Sequence, residues 1–440
     1  MSNSQRTTAF IVGLLSLLLL LAACGSRRPP DEQTVRYIFG SDVSARYKED
    51  KVELPCASLT RQISGQCYAL EKQLEQIFPP KQGRVHYIVC LNMACTIEPH
   101  RLTDIKHLTH LRQLSIGGQA IGNLPADVQH LTALKDLYLG RNQLSTLPVE
   151  LGQLTQIEWL SIGHNSFTTF PPEINHLTSL QELHLNNNQI DHLPPEIGQL
   201  LQLKRLNSSS NRLTQLPPTI GQLSHLTHLD LSRNALTTLP LEIGHLEQLE
   251  RLDLGGNRLT ALPESMAPWP QLLVLDLSRN QVVMLPSHVG QMHKLRQLGL
   301  NKNKLAIFPQ IVTQLPELDT LEISDNQLET LPPEIGELQA LGLFNIDNNN
   351  LRTLPPEIGE LTQLWRLQMA GNQLTQLPPE IGNLTALREL DLRDNNLTEL
   401  PSEIAQLPNL KRLLVKGNPL ASLPPDVENL PDLYIDIEIE

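Results

Sequence analysis

A pattern of 23 residues repeats without insertion from residue 111 to residue 432, and this period constrains the fold more than any other feature. Its first residue, leucine or isoleucine, recurs fourteen times, at 111, 134, 157, 180, 203, 226, 249, 272, 295, 318, 341, 364, 387 and 410. A fixed period in this range is typical of a solenoid, in which each repeat buries its apolar residues against its neighbours. We number each repeat from this residue, which is position 1.

The first half of each repeat predicts a short strand followed by a buried asparagine. Leucines at positions 4 and 6, such as Leu390 and Leu392, alternate with polar residues, which is the pattern of a strand with one buried face. Asparagine occupies position 9 in thirteen repeats, and Gln119 occupies it in the first. Because a buried amide requires partners, we expect the stacked asparagines to bond the loop backbone of adjacent repeats.

The second half predicts extended chain and a short helical turn. Proline occupies position 15 in every repeat, and a second proline often follows, as in Pro355-Pro356. Proline fixes φ and has no N–H that could be left unpaired. Apolar residues at positions 18 and 21 then return to the core.

The pattern LxxLxLxxNxLxxLPxxIGxLxx resembles the 23-residue type of the leucine-rich-repeat family, over about three quarters of the chain. The resemblance implies an α/β-type solenoid with the shape of a horseshoe. Its concave side would be a parallel β-sheet, and its convex side would consist of short helical or extended segments. Together with the absence of catalytic motifs, this fold leads us to expect a protein without enzymatic activity that binds another protein on the concave sheet.

The amino terminus resembles a bacterial lipoprotein signal peptide. Residues 9–21 are apolar but too few for a comfortable membrane span, and the segment Leu21-Ala22-Ala23-Cys24 resembles a lipobox. The resemblance implies removal of residues 1–23, lipidation of Cys24 and a membrane anchor in the cell envelope, at the outer membrane or cell surface. An uncleaved anchor and an ordinary signal peptide are the alternatives. Residues 24–50 are interpreted as a tether.

Residues 51–110 are interpreted as an amino-terminal cap that ends in a degenerate first repeat, with Ile88 one period before Leu111. The cap holds four cysteines, which an exported protein would expose to an oxidising compartment: Cys56, Cys67, Cys90 and Cys95. They allow three pairings, of which we favour Cys56–Cys67 with Cys90–Cys95; a zinc site is the rival. At the other end, the alternation of residues 433–440 predicts a terminal capping strand.

Composition and motifs argue against several functions. The net charge of −13 disfavours nucleic-acid binding, which requires a basic surface. The sequence contains no phosphate-binding loop, nucleophile elbow, zinc-protease motif or EF-hand loop. We therefore expect no catalytic residues, no cofactor and no metal site.

Aromatic side chains single out one part of the expected concave face, which carries positions 3, 5, 7 and 8. Only 4% of the residues are aromatic, yet Tyr138 and Trp159 occur here in successive repeats, together with His164 and His184. Exposed tyrosine and tryptophan are frequent binding anchors. The alternative interpretation is that these rings only fill space on the sheet.

Charged side chains mark a second part of this face. Asp230, Asp253 and Asp276 occupy position 5 of three successive repeats, and Arg233 and Arg279 occupy position 8 nearby. These residues are candidates for binding a partner, but cross-strand charge pairing or a calcium site would also explain them. The most favoured partner is another protein; a glycan or cell-wall polymer, or a structural role in the envelope, is the alternative.

Three further residues depart from the repeat. Ser208 occupies position 6, where the other thirteen repeats have an apolar residue, and this predicts a weakened core. Trp269 occupies position 21 and is predicted to be buried. Trp365, at position 2, lies at the lateral edge of the sheet, where either burial or exposure is compatible with the pattern.

Overall fold

The structure, a computed structural model, describes residues 47–48, 51–52, 54–55, 87–91, 109–428, 430 and 433–437. The chain divides into two compact units, residues 1–189 and 190–440. The predicted signal peptide and Cys24 lie outside the described residues, as do Cys56, Cys67 and Cys95. Among the described residues, no helix is both long and apolar enough to span a membrane.

The first unit is built on parallel strands. A small antiparallel pair precedes them, formed by β1 (Tyr47–Lys48) and β2 (Lys51–Val52). The parallel strands, each paired with the next, are β3 (Leu54–Pro55), β4 (Tyr87–Leu91), β5 (Gln113–Ser115), β6 (Asp136–Tyr138), β7 (Trp159–Ser161) and β8 (Glu182–His184).

The second unit continues the same plan. Its strands, again each parallel to the next, are β9 (Arg205–Asn207), β10 (His228–Asp230), β11 (Arg251–Asp253), β12 (Val274–Asp276), β13 (Gln297–Gly299), β14 (Thr320–Glu322), β15 (Leu343–Asn345), β16 (Arg366–Gln368), β17 (Glu389–Asp391), β18 (Arg412–Leu414) and β19 (Tyr434–Asp436). Strands β5 to β18 occupy positions 3 to 5 of the fourteen repeats. The predicted fold class, a leucine-rich-repeat solenoid with a parallel sheet, is confirmed.

Short helices follow the prolines. In both units a proline with extended backbone precedes a five-residue 3₁₀ helix; Pro355, with φ −72° and ψ 148°, is representative. The 3₁₀ helices are Ala126–His130, Val149–Gln153, Pro172–His176, Pro195–Gln199, Pro218–Gln222, Leu241–His245, Ser287–Gln291, Gln310–Gln314, Pro333–Glu337, Pro356–Glu360, Pro379–Asn383 and Ser402–Gln406, and an α-helix, α1, spans Pro425–Glu428. Glycine at position 19 lets these helices approach, since a Cβ on Gly382 would lie 2.6 Å from the Glu403 carbonyl oxygen.

The asparagine column holds successive loops together as the sequence predicts. Asn257 is buried; its Oδ1 accepts from the backbone N–H of Leu236 at 3.0 Å, and its Nδ2 donates to the carbonyl oxygens of Leu231 and Leu254 at 3.0 and 2.8 Å. One side chain thereby satisfies three backbone groups in two repeats. Bonds of this kind recur along the column, at Asn142, Asn165, Asn188, Asn280, Asn303, Asn326, Asn349, Asn372, Asn395 and Asn418.

The core consists of the apolar columns, with two informative exceptions. Trp269 is buried, as predicted, and its Nε1 donates to the Ile243 carbonyl oxygen at 2.9 Å. No helix forms in this repeat, where Pro268 and Pro270 flank the tryptophan and lack the N–H that a helical turn requires. Ser208 is also buried, and its Oγ has no hydrogen-bond partner among the described residues.

The register of the degenerate first repeat differs from the prediction. Counting back one period aligns Ile88 with Leu111, but β4 pairs with β5 so that Ile88 lies opposite Leu114. Ile88 and Leu114 are therefore 26 residues apart in the chain, three more than the 23-residue period. Three additional residues shift the whole pattern, and a strict period cannot reveal such an insertion.

Candidate functional site

Three aromatic side chains meet on the sheet of the first unit. The pairing of β6, β7 and β8 places Tyr138, Ser161 and His184 side by side at position 5, and it places Trp159 at position 3 between Asp136 and Glu182. Ring centroids of Tyr138 and Trp159 are 5.7 Å apart, and those of Trp159 and His184 are 5.2 Å apart. We call Tyr138, Trp159 and His184 the aromatic cluster.

The small side chain of Ser161 explains how the aromatic cluster forms. Tyr138 and His184 are separated by one strand, and on that strand Ser161 occupies the position between them. Trp159 contacts both rings from the neighbouring column: it is tilted by 38° to Tyr138 and stacked at 24° on His184. Each ring is half-buried, so the cluster is rigid and still presents apolar surface to solvent.

The electrostatic environment of the aromatic cluster is acidic. Burial, followed by the carboxylates of Asp136 and Glu182, raises the pKa of Tyr138 to about 12, so its hydroxyl stays protonated and can donate a hydrogen bond. The Glu182 Oε2 lies 3.6 Å from the His184 Nε2. The Trp159 Nε1 has no hydrogen-bond partner among the described residues.

His164, the fourth residue of this predicted group, is placed apart from the cluster. It lies on the loop after β7 with φ of 56°, is exposed, and its Nε2 is 3.3 Å from the Asn187 Nδ2. Within the described chain it makes no ring contact with the cluster. The structure thus brings together three of the four residues that the sequence suggested.

The aspartates Asp230, Asp253 and Asp276 are adjacent on β10, β11 and β12, and we call them the acidic ladder. Each Oδ1 accepts from the backbone N–H two residues further along the chain, at 3.0, 2.9 and 2.7 Å. Burial is the largest cause that raises the pKa of Asp253 to about 6, and the two neighbouring carboxylates add to it.

Arg233 and Arg279 do not form ion pairs with the acidic ladder, although the nearby Arg251 lowers the pKa of Asp253 against the larger effect of burial. Arg233 and Arg279 are exposed, and neither forms an ion pair with a described residue. The structure therefore does not show cross-strand ion pairs between these two arginines and the three aspartates. In the described part of the chain, no group of three or more His, Cys, Asp or Glu side chains is arranged to hold a metal ion.

The sequence reasoning missed two features of the second unit and left a third, the environment of Trp365, open between burial and exposure. Asp391 is buried and accepts two bonds from Arg393, Nε to Oδ1 at 2.9 Å and Nη2 to Oδ2 at 2.6 Å. Burial raises the pKa of Asp347 to about 6. Trp365 is 41% exposed and lies over Gly342, where an added Cβ would be 2.9 Å from the indole Nε1. Scanning positions 2, 5 and 7 for departures from the consensus would have found these residues.

Comparison with known families agrees with this geometry. The model described as a leucine-rich repeat region matches residues 68–188, 219–323 and 357–434, and two further leucine-rich-repeat models match residues 316–374 and 179–200. The chain belongs to the leucine-rich-repeat family. Comparison with curated protein sequences gives no match.

Solved structures show the same fold. A leucine-rich-repeat protein of Leptospira interrogans is 36% identical, with a TM-score of 0.73, over 80% of this chain and 88% of that one. The Arabidopsis receptor kinase HAESA, solved with the peptide hormone IDA and a co-receptor, is 26% identical, with a TM-score of 0.62, over 84% of this chain and 68% of that one.

A second Arabidopsis receptor kinase is similar over less of its length. The ectodomain of GASSHO1/SCHENGEN3, solved with CASPARIAN STRIP INTEGRITY FACTOR 2, is 27% identical, with a TM-score of 0.57, over 81% of this chain. This chain spans 50% of that one.

Proposed function

We propose that this protein is a non-catalytic binding protein that recognises a protein or peptide on its sheet, with the aromatic cluster as the anchor. The observation that carries the proposal is the stack of Tyr138, Trp159 and His184, which is held rigid and half-exposed across three adjacent strands. Rigid aromatic side chains bury a large area on binding and lose little conformational entropy. The similar receptor kinase HAESA, solved with a peptide hormone and a co-receptor, supports a protein or peptide partner.

The test is a binding experiment with a matched control. The full chain is used to capture partners, and each captured protein is purified and titrated against the parent chain and the Trp159→Ala and Trp365→Ala variants. Trp159→Ala should weaken binding by at least about 1–2 kcal/mol, as loss of a binding anchor does. Trp365→Ala removes another exposed tryptophan, in the second unit, and should leave the affinity unchanged.

A thermal denaturation of the same variants separates anchoring from packing. The proposal is wrong if Trp159→Ala lowers the melting temperature strongly and binds every partner as well as the parent does. A glycan array run in parallel addresses the alternative partner. If glycans bind through Trp159 and no protein does, the chain is a glycan-binding protein.

Attachment to the cell envelope is part of the proposal. The lipobox at residues 21–24 supports lipidation of Cys24, and several acyl chains would anchor the protein stably. Cys24→Ala should abolish incorporation of radiolabelled fatty acid and release the protein from membranes, whereas the control variant Cys90→Ala should keep its label. Unchanged labelling of Cys24→Ala would refute the anchor.

A further inference from the structure

One lateral edge of the second unit is basic, although the whole chain carries a net charge of −13. Positions 8, 10, 12 and 13 lie in the loops that leave the carboxyl ends of the strands. In the five repeats that begin at 203, 226, 249, 272 and 295, these positions contain no aspartate or glutamate. They contain six exposed cations, namely Arg212, Arg233, Arg258, Arg279, Lys302 and Lys304.

The same edge carries an apolar patch. Positions 12 and 13 are polar or alanine in most repeats, but here they present Val283, Met284 and Ile307, whose exposed fractions are 54, 64 and 82%. Large exposed apolar side chains that are grouped in this way are characteristic of binding surfaces. We call the six cations and these three side chains the basic edge.

Backbone hydrogen bonds hold the loops of the basic edge side by side. Gln281 N–H donates to the Leu259 carbonyl oxygen at 2.8 Å, and Lys304 N–H donates to that of Val282 at 2.9 Å. Val283 N–H donates to the Thr260 carbonyl oxygen at 3.2 Å. The cations and the apolar side chains of successive repeats are therefore neighbours on one surface.

The cations of the basic edge are available to a ligand. None of the six forms an ion pair with a described residue, and the one hydrogen bond made by their side chains joins the Lys304 Nζ to the Gln281 Oε1 at 3.1 Å. The next repeat ends the surface, because Asp325 and Glu329 occupy its positions 8 and 12. The basic edge is thus a bounded surface on which cations without an ion-pair partner among the described residues surround apolar side chains. The acidic ladder lies beside it, at position 5 of three of the same repeats.

We infer that the basic edge is a second docking surface, which binds a protein segment that combines carboxylates with apolar side chains. Charge complementarity assigns the carboxylates to the cations, and the apolar side chains of the segment would cover Val283, Met284 and Ile307. This surface shares no residue with the aromatic cluster, so the inference stands independently of the proposed function.

Two other anionic partners fit the observations less well. Single-stranded nucleic acid is bound through stacking on aromatic side chains in addition to phosphate contacts, and the apolar residues of the basic edge are aliphatic. An extended anionic membrane surface would be repelled by the net charge of −13 that the whole chain carries, whereas a short peptide segment would contact the basic edge alone.

An unbiased peptide selection tests the inference. A random peptide library displayed on phage is selected on the immobilised full chain, and the recovered peptides are synthesised with a fluorescent label and titrated by anisotropy. We expect enrichment of Asp and Glu together with Leu, Ile, Val or Phe. Binding should weaken when NaCl is raised from about 50 mM to about 300 mM, because salt screens exposed charges.

Four variants localise the binding. Two double variants should each lower the affinity for the peptides at least about tenfold. One combines Met284→Ser with Ile307→Ser, and the other combines Arg258→Ser with Lys304→Ser. Arg352→Ser combined with Arg388→Ser removes the same charge from other repeats and should have no effect. Trp159→Ala should also bind the peptides normally, which separates this surface from the aromatic cluster.

Three results would overturn the inference. The first is a set of selected peptides without excess acidic residues, and the second is equal affinity of acidic peptides for the parent chain and both double variants of the basic edge. The third comes from sedimentation with phosphatidylglycerol vesicles. If the two double variants lose vesicle binding relative to the parent and no acidic peptide binds, the basic edge is a lipid-binding surface instead.

Discussion

Replacing the buried hydroxyl of Ser208 should stabilise the second unit. The side chain is 1% exposed, and its Oγ has no hydrogen-bond partner among the described residues. A buried hydroxyl without a partner costs on the order of 1–3 kcal/mol. Ser208→Ala removes this cost, so we expect the free energy of unfolding to rise by about 1–2 kcal/mol.

A larger side chain measures the volume available at this position. Ser208→Leu adds three carbons to the alanine variant, and each buried methylene contributes about 0.8 kcal/mol if it fits, or about 2 kcal/mol in total. The reciprocal change, Leu231→Ser, introduces the same defect one repeat further and should destabilise by about 3–5 kcal/mol. Leu231 is fully buried at the same position 6.

Hydrogen exchange is the appropriate assay because a repeat array does not have to unfold in a single step. In the parent chain, amides of residues 203–225 should exchange faster than those of the inner repeats that follow, and Ser208→Leu should slow them. Urea midpoints give the global effect. The reasoning fails if Ser208→Ala destabilises the protein, since the hydroxyl would then have a partner that stabilises the fold.

Three further substitutions test the electrostatics and the asparagine column. The pKa of Asp253 is raised to about 6, mainly by burial, so the folded protein loses stability as pH rises from the unfolded pKa of this group through about 6. Asp253→Asn should therefore stabilise the protein by up to about 3 kcal/mol at about pH 7.5 and leave its stability unchanged near pH 4. Urea midpoints measured at both pH values test this expectation. The bond to Gly255 should persist, because Asn207 in the same column accepts the equivalent bond from Ser209 at 3.0 Å. Burial lowers the pKa of the His288 imidazole, against smaller opposing effects of the Glu264 backbone and then of its carboxylate. The stability of the parent should therefore fall as pH drops below about 6.5, and His288→Leu should reduce this fall in thermal melts recorded across that range. Asn257→Leu leaves three backbone groups without their partner and should cost about 3 kcal/mol or more in urea denaturation, whereas an unchanged midpoint would mean that water replaces the amide.

The sequence determined the fold here because each structural requirement recurs at a fixed spacing. Leu390 and Leu392 alone would indicate a strand weakly, but fourteen copies of the same alternation leave little ambiguity. The partners of Asn257 were likewise foreseeable, since a buried amide in every repeat must bond its neighbours. The same reliance on the period produced the error at Ile88, where the turn to Leu114 has three additional residues.

The candidate sites could be predicted less well from the sequence, because they depend on contacts between particular side chains that the repeat pattern does not specify. The columns correctly placed Tyr138, Trp159 and His184 on neighbouring strands. They did not show that the stack forms because Ser161 is small, or that His164 is displaced onto a loop. Arg233 and Arg279 were candidates from the sequence, but the basic edge as a whole was not recognised, because its cations and apolar side chains lie at different positions of different repeats and no single motif joins them.

Position 8, where several of the cations lie, has a left-handed backbone conformation. The backbone has positive φ at this position in all fourteen repeats, and ten of these residues are not glycine. Left-handed backbone costs such residues on the order of 1 kcal/mol each. The conformation is imposed by the stacking of the loops, since the N–H of Arg279 donates to the Asn301 carbonyl oxygen of the next repeat at 2.7 Å and that of Lys302 donates to Ser324 at 2.9 Å.

Glycine satisfies the same geometry at Gly256 and Gly371, so the solenoid itself does not require a long side chain at position 8. The leucine, asparagine and proline columns sustain the fold, whereas residues at positions 3, 5, 8, 10, 12 and 13 vary with little effect on it. Such positions deviate together at the aromatic cluster and at the basic edge. We propose recognition of a partner as the explanation, because a ligand can contact several of these side chains at once.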